Sequence, residues 1–88
     1  MGKLILTRKP GESVKIGDSL VLTIREVHAK KVYAHCCGCS WFKLGEVFGY
    51  TLSDGQDVKV TIAAISGRQV RLHFEADNSI KIMRTELL

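Results

Sequence analysis

The sequence predicts a small, mostly β domain built from antiparallel strands, on three observations. Val, Ile, Leu and Thr alternate with polar residues along most of the chain, which is the two-residue period of half-buried strands. Glycines at positions 11, 17, 45, 55 and 67 punctuate these runs at short intervals. No stretch long enough for a stable helix carries the 3.6-residue apolar period that a helix would need.

The elements follow in order. Leu4 to Lys9 is the first strand, closed by the turn Pro10-Gly11-Glu12, where proline presets its own φ. Ser13 to Ile16 alternates and ends at Gly17-Asp18. Leu20, Leu22 and Ile24 share one face of a third strand, and Val21, Thr23, Arg25 and Val27 the other. Lys31 to Phe42 reads as a strand, a Gly/Cys-rich turn and an aromatic pair. Gly45 to Tyr50 has strand propensity, and Ser53-Asp54-Gly55 is a turn. Val58, Val60, Ile62 and Ala64 form a further stripe, Ser66-Gly67-Arg68 turns the chain, and Val70, Leu72 and Phe74 return on one face. Ile80 and Ile82 mark a last strand. Thr85 to Leu88 has room for one helical turn at most.

Eighty-eight residues make one domain, and a chain this short buries a modest core on its own, so pairing with a second copy is a common remedy. The absence of any long uncharged apolar run excludes a membrane span, the N-terminal apolar stretch is too short for a signal peptide, and a cytoplasmic location follows as the expectation. A net charge of +4 suits an anionic partner, nucleic acid first among them.

Cys36, Cys37 and Cys39 are odd in number and crowded together, unlike a secreted disulfide framework, and are expected to be reduced. With His35 they are the weak candidates for a metal site. Their spacing lacks the second distant couple of a zinc site, and neighbouring strand residues point to opposite faces, so buried thiols at a turn are the favoured reading. Trp41, Phe42, Phe48 and Tyr50 are expected to pack in the core or an interface. No nucleophile turn and no phosphate-cradling loop is present, and neither an enzyme nor a cofactor is expected.

An internal echo runs through the chain. Leu22-Thr23-Ile24 and Val27 recur as Val60-Thr61-Ile62 and Ile65, and Val32 and His35 recur as Val70 and His73, all 38 positions apart. Gly11-Glu12 is echoed by Gly45-Glu46. Such a pattern fits either a duplication or two unrelated hairpins.

Leu4-Ile5-Leu6-Thr7-Arg8-Lys9-Pro10-Gly11-Glu12-Ser13-Val14-Lys15-Ile16-Gly17-Asp18 resembles the opening of the carbon storage regulator (CsrA/RsmA) family. Asp57 to Ile65, Gly67-Arg68-Gln69-Val70-Arg71-Leu72, Ala76 and Ile80-Lys81-Ile82-Met83-Arg84-Thr85-Glu86-Leu87 resemble its later strands. The resemblance implies a five-strand protomer that pairs as an intertwined homodimer. It also implies an RNA-binding post-transcriptional regulator that recognises GGA motifs in hairpin loops of mRNA 5′ untranslated regions and small RNAs. The implied RNA surface comprises Leu6, Thr7, Arg8 and Lys9 of the first strand, Ala76 and Asp77 of the connecting loop, and Ile80, Ile82, Met83 and Arg84 of the last strand. Unpaired RNA bases expose their edges to such a surface, and arginine can fork onto guanine or phosphate. Asp77 stands where the family usually has proline, and Met83 where it often has histidine.

The segment from about Ser19 to Gln56 has no counterpart in the family. It reads either as an insertion in a protomer that still pairs as a homodimer, favoured by the complete protomer ends, or as part of a degenerate duplicate. In the second case one chain mimics the dimer and keeps one RNA site. The rival functional reading is a diverged protein-interaction module that binds a regular family member or its protein antagonist without strong RNA binding.

Overall fold

The structure is a computed structural model and describes residues 2–85. It contains nine strands: β1 (Gly2–Arg8), β2 (Ser13–Ile16), β3 (Leu20–Val27), β4 (Lys31–His35), β5 (Cys39–Lys43), β6 (Val47–Thr51), β7 (Asp57–Ser66), β8 (Gln69–Ala76) and β9 (Ile82–Arg84). The helical turn expected near the C-terminus lies, beyond Thr85, outside the described residues. The strands form two antiparallel sheets, one in the order β1-β8-β7-β6 and one in the order β5-β4-β3-β2-β9.

Alternation drives the layering. Val14 and Ile16 on β2, Leu22 and Ile24 on β3, and Val32 and Ala34 on β4 are buried from one sheet. Val58, Val60 and Ile62 on β7, and Val70, Leu72, Phe74 and Ala76 on β8, meet them from the other. Each fully buried aliphatic side chain contributes about 1.5–3 kcal/mol relative to exposure.

The two sheets obey one internal symmetry. In the β3–β4 hairpin Thr23 pairs with His35 and Ile24 with Ala34, then Arg25 bulges out and Glu26 pairs with Tyr33. In the β7–β8 hairpin Thr61 pairs with His73 and Ile62 with Leu72, then Ala63 bulges out and Ala64 pairs with Arg71. The bulges fall at equivalent places, so the 38-residue echo is a register as well as a composition.

The turns upstream repeat too. Gly11 donates its N–H to the Ile24 carbonyl at 2.7 Å, and Gly45 donates to the Ile62 carbonyl at 2.8 Å. The Lys9 N–H is accepted by Glu12 Oε1 at 2.8 Å, and the Lys43 N–H by Glu46 Oε1 at 3.0 Å. Gly11 and Gly45 have φ of +89° and +87°, a conformation that L side chains resist. The echo is 34 positions in these turns and 38 in the hairpins because the β6–β7 connection is longer than the β2–β3 connection.

The symmetry is incomplete at one place. β2 carries β9 on its outer edge, with Val14 opposite Arg84 and Ile16 opposite Ile82. The equivalent strand β6 pairs only with β7 among the described residues. The chain leaves β4 through the Cys36–Gly38 turn and enters β5 directly, so that no strand among the described residues covers that edge.

Candidate nucleic-acid interface

β1 and β9 are edge strands of different sheets, and the β8–β9 loop runs from β8, the neighbour of β1, to β9. Between them lies a cleft of about 230 Å³ lined by Gly2, Lys3, Leu4, Phe74, Ala76, Asp77, Asn78, Ile80 and Ile82. Leu4 of the first strand and Ile82 of the last therefore face one cleft at one side of the sandwich. A side chain at Gly2 would collide with Asn78 Oδ1, which shows how closely the loop folds over the start of β1.

The β8–β9 loop is shaped by its own polar groups. The Ser79 N–H donates to Asp77 Oδ1 at 2.9 Å, and the Ile80 N–H donates to the Asp77 carbonyl at 3.0 Å. The backbone N–H and the hydroxyl of Ser79 hold the exposed Asp77 carboxyl below the usual carboxylate range. Asp77 thus closes by hydrogen bonding a turn that a proline would close by its ring. The Ser79 hydroxyl also lies 3.4 Å from Gln56 Oε1, and the Gly17 N–H donates to the Lys81 carbonyl at 2.7 Å, which ties the loop to both sheets.

The expected site residues fall into three groups. Ala76, Asp77, Ile80 and Ile82 line the cleft, with Ala76 itself buried. Thr7 and Lys9 are exposed and Leu6 half-buried further along β1 and its turn, where Lys9 flanks a hollow with Pro10, Ser66, Arg68 and Gln69. Met83 is half-buried opposite Lys15, and Arg84 is exposed opposite Val14.

Arg8 departs from the expected exposed fork. It is only 3% exposed, and its Nε donates to the Thr7 carbonyl at 2.7 Å. Nη1 reaches the Ser13 carbonyl at 3.5 Å, and Nε lies 3.9 Å from Glu12 Oε1. The cause is parity. Arg8 stands opposite buried Val70 on the side of β1 that also carries Leu6, opposite buried Leu72. Sequence reasoning missed Lys3, Leu4 and Asn78 as lining residues. The parity that pairs Leu4 with Phe74 was the signal available for Leu4.

The cysteine cluster sits at the far side of the fold. Cys36 is buried while Cys37 and Cys39 are exposed, and all three are free thiols. Cys37 takes a φ of +60°, rare for a non-glycine residue. Burial pushes the Cys36 thiol up. Burial and the adjacent Cys36 thiol push Tyr50 well above its ordinary range. His35 Nδ1 lies 3.3 Å from Cys39 Sγ, but no group of three potential ligands among the described residues is arranged to hold a metal ion.

The aromatic residues divide. Phe42, Phe48 and Tyr50 are half-buried against the core, with Phe42 and Phe48 stacked at 3.8 Å between centroids. Trp41 is 46% exposed on the outer face of β5 and so lies outside the core, one of the two places expected for it.

A two-sheet β sandwich whose first and last strands flank one cleft is the class that the fold defines. Residues 51–88 match the model of the CsrA global regulator protein family. Over 40 residues it is 45% identical to the translational regulator CsrA of Hydrogenovibrio crunogenus, a match spanning 46% of this chain and 57% of that relative. No solved structure matches the chain. No helix among the described residues is long and apolar enough to cross a membrane.

Proposed function

We propose that this chain is an RNA-binding translational regulator without enzymatic activity. On this reading it recognises GGA-bearing hairpin loops of mRNA leaders and small RNAs at the edge where β1 meets β9. The observation that carries the reading is the cleft shared by Leu4 of β1 and Ile82 of β9, beside exposed Arg84, Lys81 and Lys3. Backbone and apolar groups there suit unstacked bases, and the surrounding cations suit phosphate.

In this reading the chain is a fused pseudo-dimer with one RNA site. Its support is the repeated register of the two hairpins together with the uncovered edge of β6, where the second site would lack its last strand. A gel shift with a GGA hairpin against a CCA control tests the reading, combined with mass in dilute solution. The expected result is GGA-dependent binding, weakened steeply by salt, by a single chain carrying one RNA. Equal binding to both hairpins, or none, overturns it.

The open edge of β6 favours a second reading. A strand of another protein, such as a regular family member or its antagonist, would add to that edge through main-chain hydrogen bonds. Absence of GGA binding together with a stable complex with a family protomer is the result that selects it.

A further inference from the structure

The outer face of the second sheet carries a ladder that the hairpin site does not use. β4 and β5 pair Lys31 with Lys43, Tyr33 with Trp41, and His35 with Cys39. These pairs occupy alternate positions, so all six side chains stand on one face, opposite buried Val32 and Ala34. The Trp41 ring lies 4.8 Å from Tyr33 and 5.5 Å from His28 between centroids. Lys31 Nζ sits 4.6 Å from the centroid of the same ring.

Cross-strand stacking explains why Tyr33 touches Trp41. It does not explain an indole left half exposed beside a rung of two lysines. Lys31 and Lys43 face each other directly, and like charges in that relation destabilise a sheet. Among the described residues neither has a carboxylate partner. The equivalent ladder of the first sheet has no tryptophan or tyrosine: Thr7 faces Arg71 and Ile5 faces His73, and further along the same face Lys3 pairs with Glu75 at 3.9 Å. A Tyr33–Trp41 ring pair beside two facing lysines is therefore particular to the β4–β5 face.

We propose that this ladder is a second contact surface for single-stranded RNA, on which a base stacks against Trp41 while Lys31 and Lys43 meet the flanking phosphates. Stacking on an exposed ring tolerates any base, and the cations supply the attraction to the backbone. The proposal rests on the RNA-binding reading above for the identity of the nucleic acid. The ladder lies at the opposite edge of its sheet from β9, four strand spacings or about 19 Å away. An RNA tail leaving the hairpin site would cross the outer positions of β2, where Lys15 stands, to reach it.

Trp41 is the sole tryptophan, so its emission reports this face alone. The intact chain is titrated with three RNAs: a GGA hairpin, the same hairpin with a single-stranded uridine tail, and the tail alone. The tailed hairpin is expected to quench Trp41, and Trp41→Ala to weaken its binding about tenfold while leaving the bare hairpin unaffected. Trp41→Phe retains most of the tailed affinity, which separates stacking from damage to the fold. Lys31→Gln and Lys43→Gln each reduce the salt slope for the tailed RNA by about 0.7. Unchanged emission at saturating tailed hairpin overturns the platform while hairpin binding stands. Quenching by the tail alone, with no GGA preference, keeps the platform and overturns the hairpin reading. If no RNA alters either emission or mobility, both fall.

Discussion

Phe42 stands in the second half of the chain where Arg8 stands in the first. Each precedes a lysine whose N–H is accepted by a glutamate three residues on, and each pairs across the ladder with a buried valine, Val32 or Val70. Arg8 reaches the Ser13 carbonyl, whereas Phe42 stacks on Phe48 of β6. The same backbone position thus holds a buried cation in one half and an aromatic stack in the other.

Phe42→Ala removes that stack and part of the apolar cover of the core. The expected cost is about 3 kcal/mol, the low end for a phenylalanine because Phe42 is only half-buried. Urea denaturation reads it as a lower midpoint, and a midpoint equal to that of the parent chain contradicts the packing role.

Two arginines with the same expected role should behave differently. Arg84→Ala is expected to weaken GGA-hairpin binding by about 1–3 kcal/mol with little change in the urea midpoint, because Arg84 is exposed. Arg8→Ala is expected to lower the midpoint by about 1–3 kcal/mol, because it deletes a buried, hydrogen-bonded group. The two variants need both measurements side by side. Loss of RNA affinity without loss of stability in the Arg8 variant would return Arg8 to the surface.

Gly11→Ala and Gly45→Ala should cost alike, about 1–2 kcal/mol each. A Cβ at either position meets nothing within 4 Å, so the cost comes from the positive φ alone. Thermal melts of the two variants check this, and a marked inequality would show that the two turns are not equivalent in energy.

Alkaline pH should reveal Tyr50. Its phenol is held neutral by burial and by the Cys36 thiol, so its folded value lies above the ordinary 10.0. The sign follows from linkage: the folded chain keeps this proton longer than the unfolded one. The stabilisation is complete below pH 10 and is lost as pH rises toward the folded value. Stability measured against pH should therefore fall above pH 10, and less steeply in Tyr50→Phe. Phenolate absorbance should show Tyr50 titrating late.

Thiol labelling should distinguish the three cysteines. Cys37 and Cys39 are exposed and should react in the native state, while buried Cys36 should react only on unfolding. Native labelling of all three equally would contradict the placement of Cys36 under Tyr50.

Much of the fold was legible because alternation and turn residues state it locally. The Ser13–Ile16 strand and the Leu20–Val27 strand were placed to the residue, and the stripes that hold Ile24, Ile62 and Leu72 were each read as one face, which the structure buries at these residues. The 38-residue echo was visible, but its meaning depended on the bulges at Arg25 and Ala63, which composition does not announce. The site was partly legible. Ile80 and Ile82 could be placed beside the first strand through family resemblance, since pairing between distant edges leaves no periodic trace in either segment. The burial of Arg8 follows from parity along β1, which its charge does not announce. That Trp41 lies outside the core follows from its place opposite Tyr33 on an edge strand, which size alone does not state.

The mismatch between Arg8 and Phe42 has one more consequence. In an assembly of identical subunits every substitution is made twice, so neither copy of a surface can drift alone. Here the repeated hairpins share one polypeptide, and each codon change alters a single location. One end can therefore keep an ancestral task while the other is free to acquire a different one.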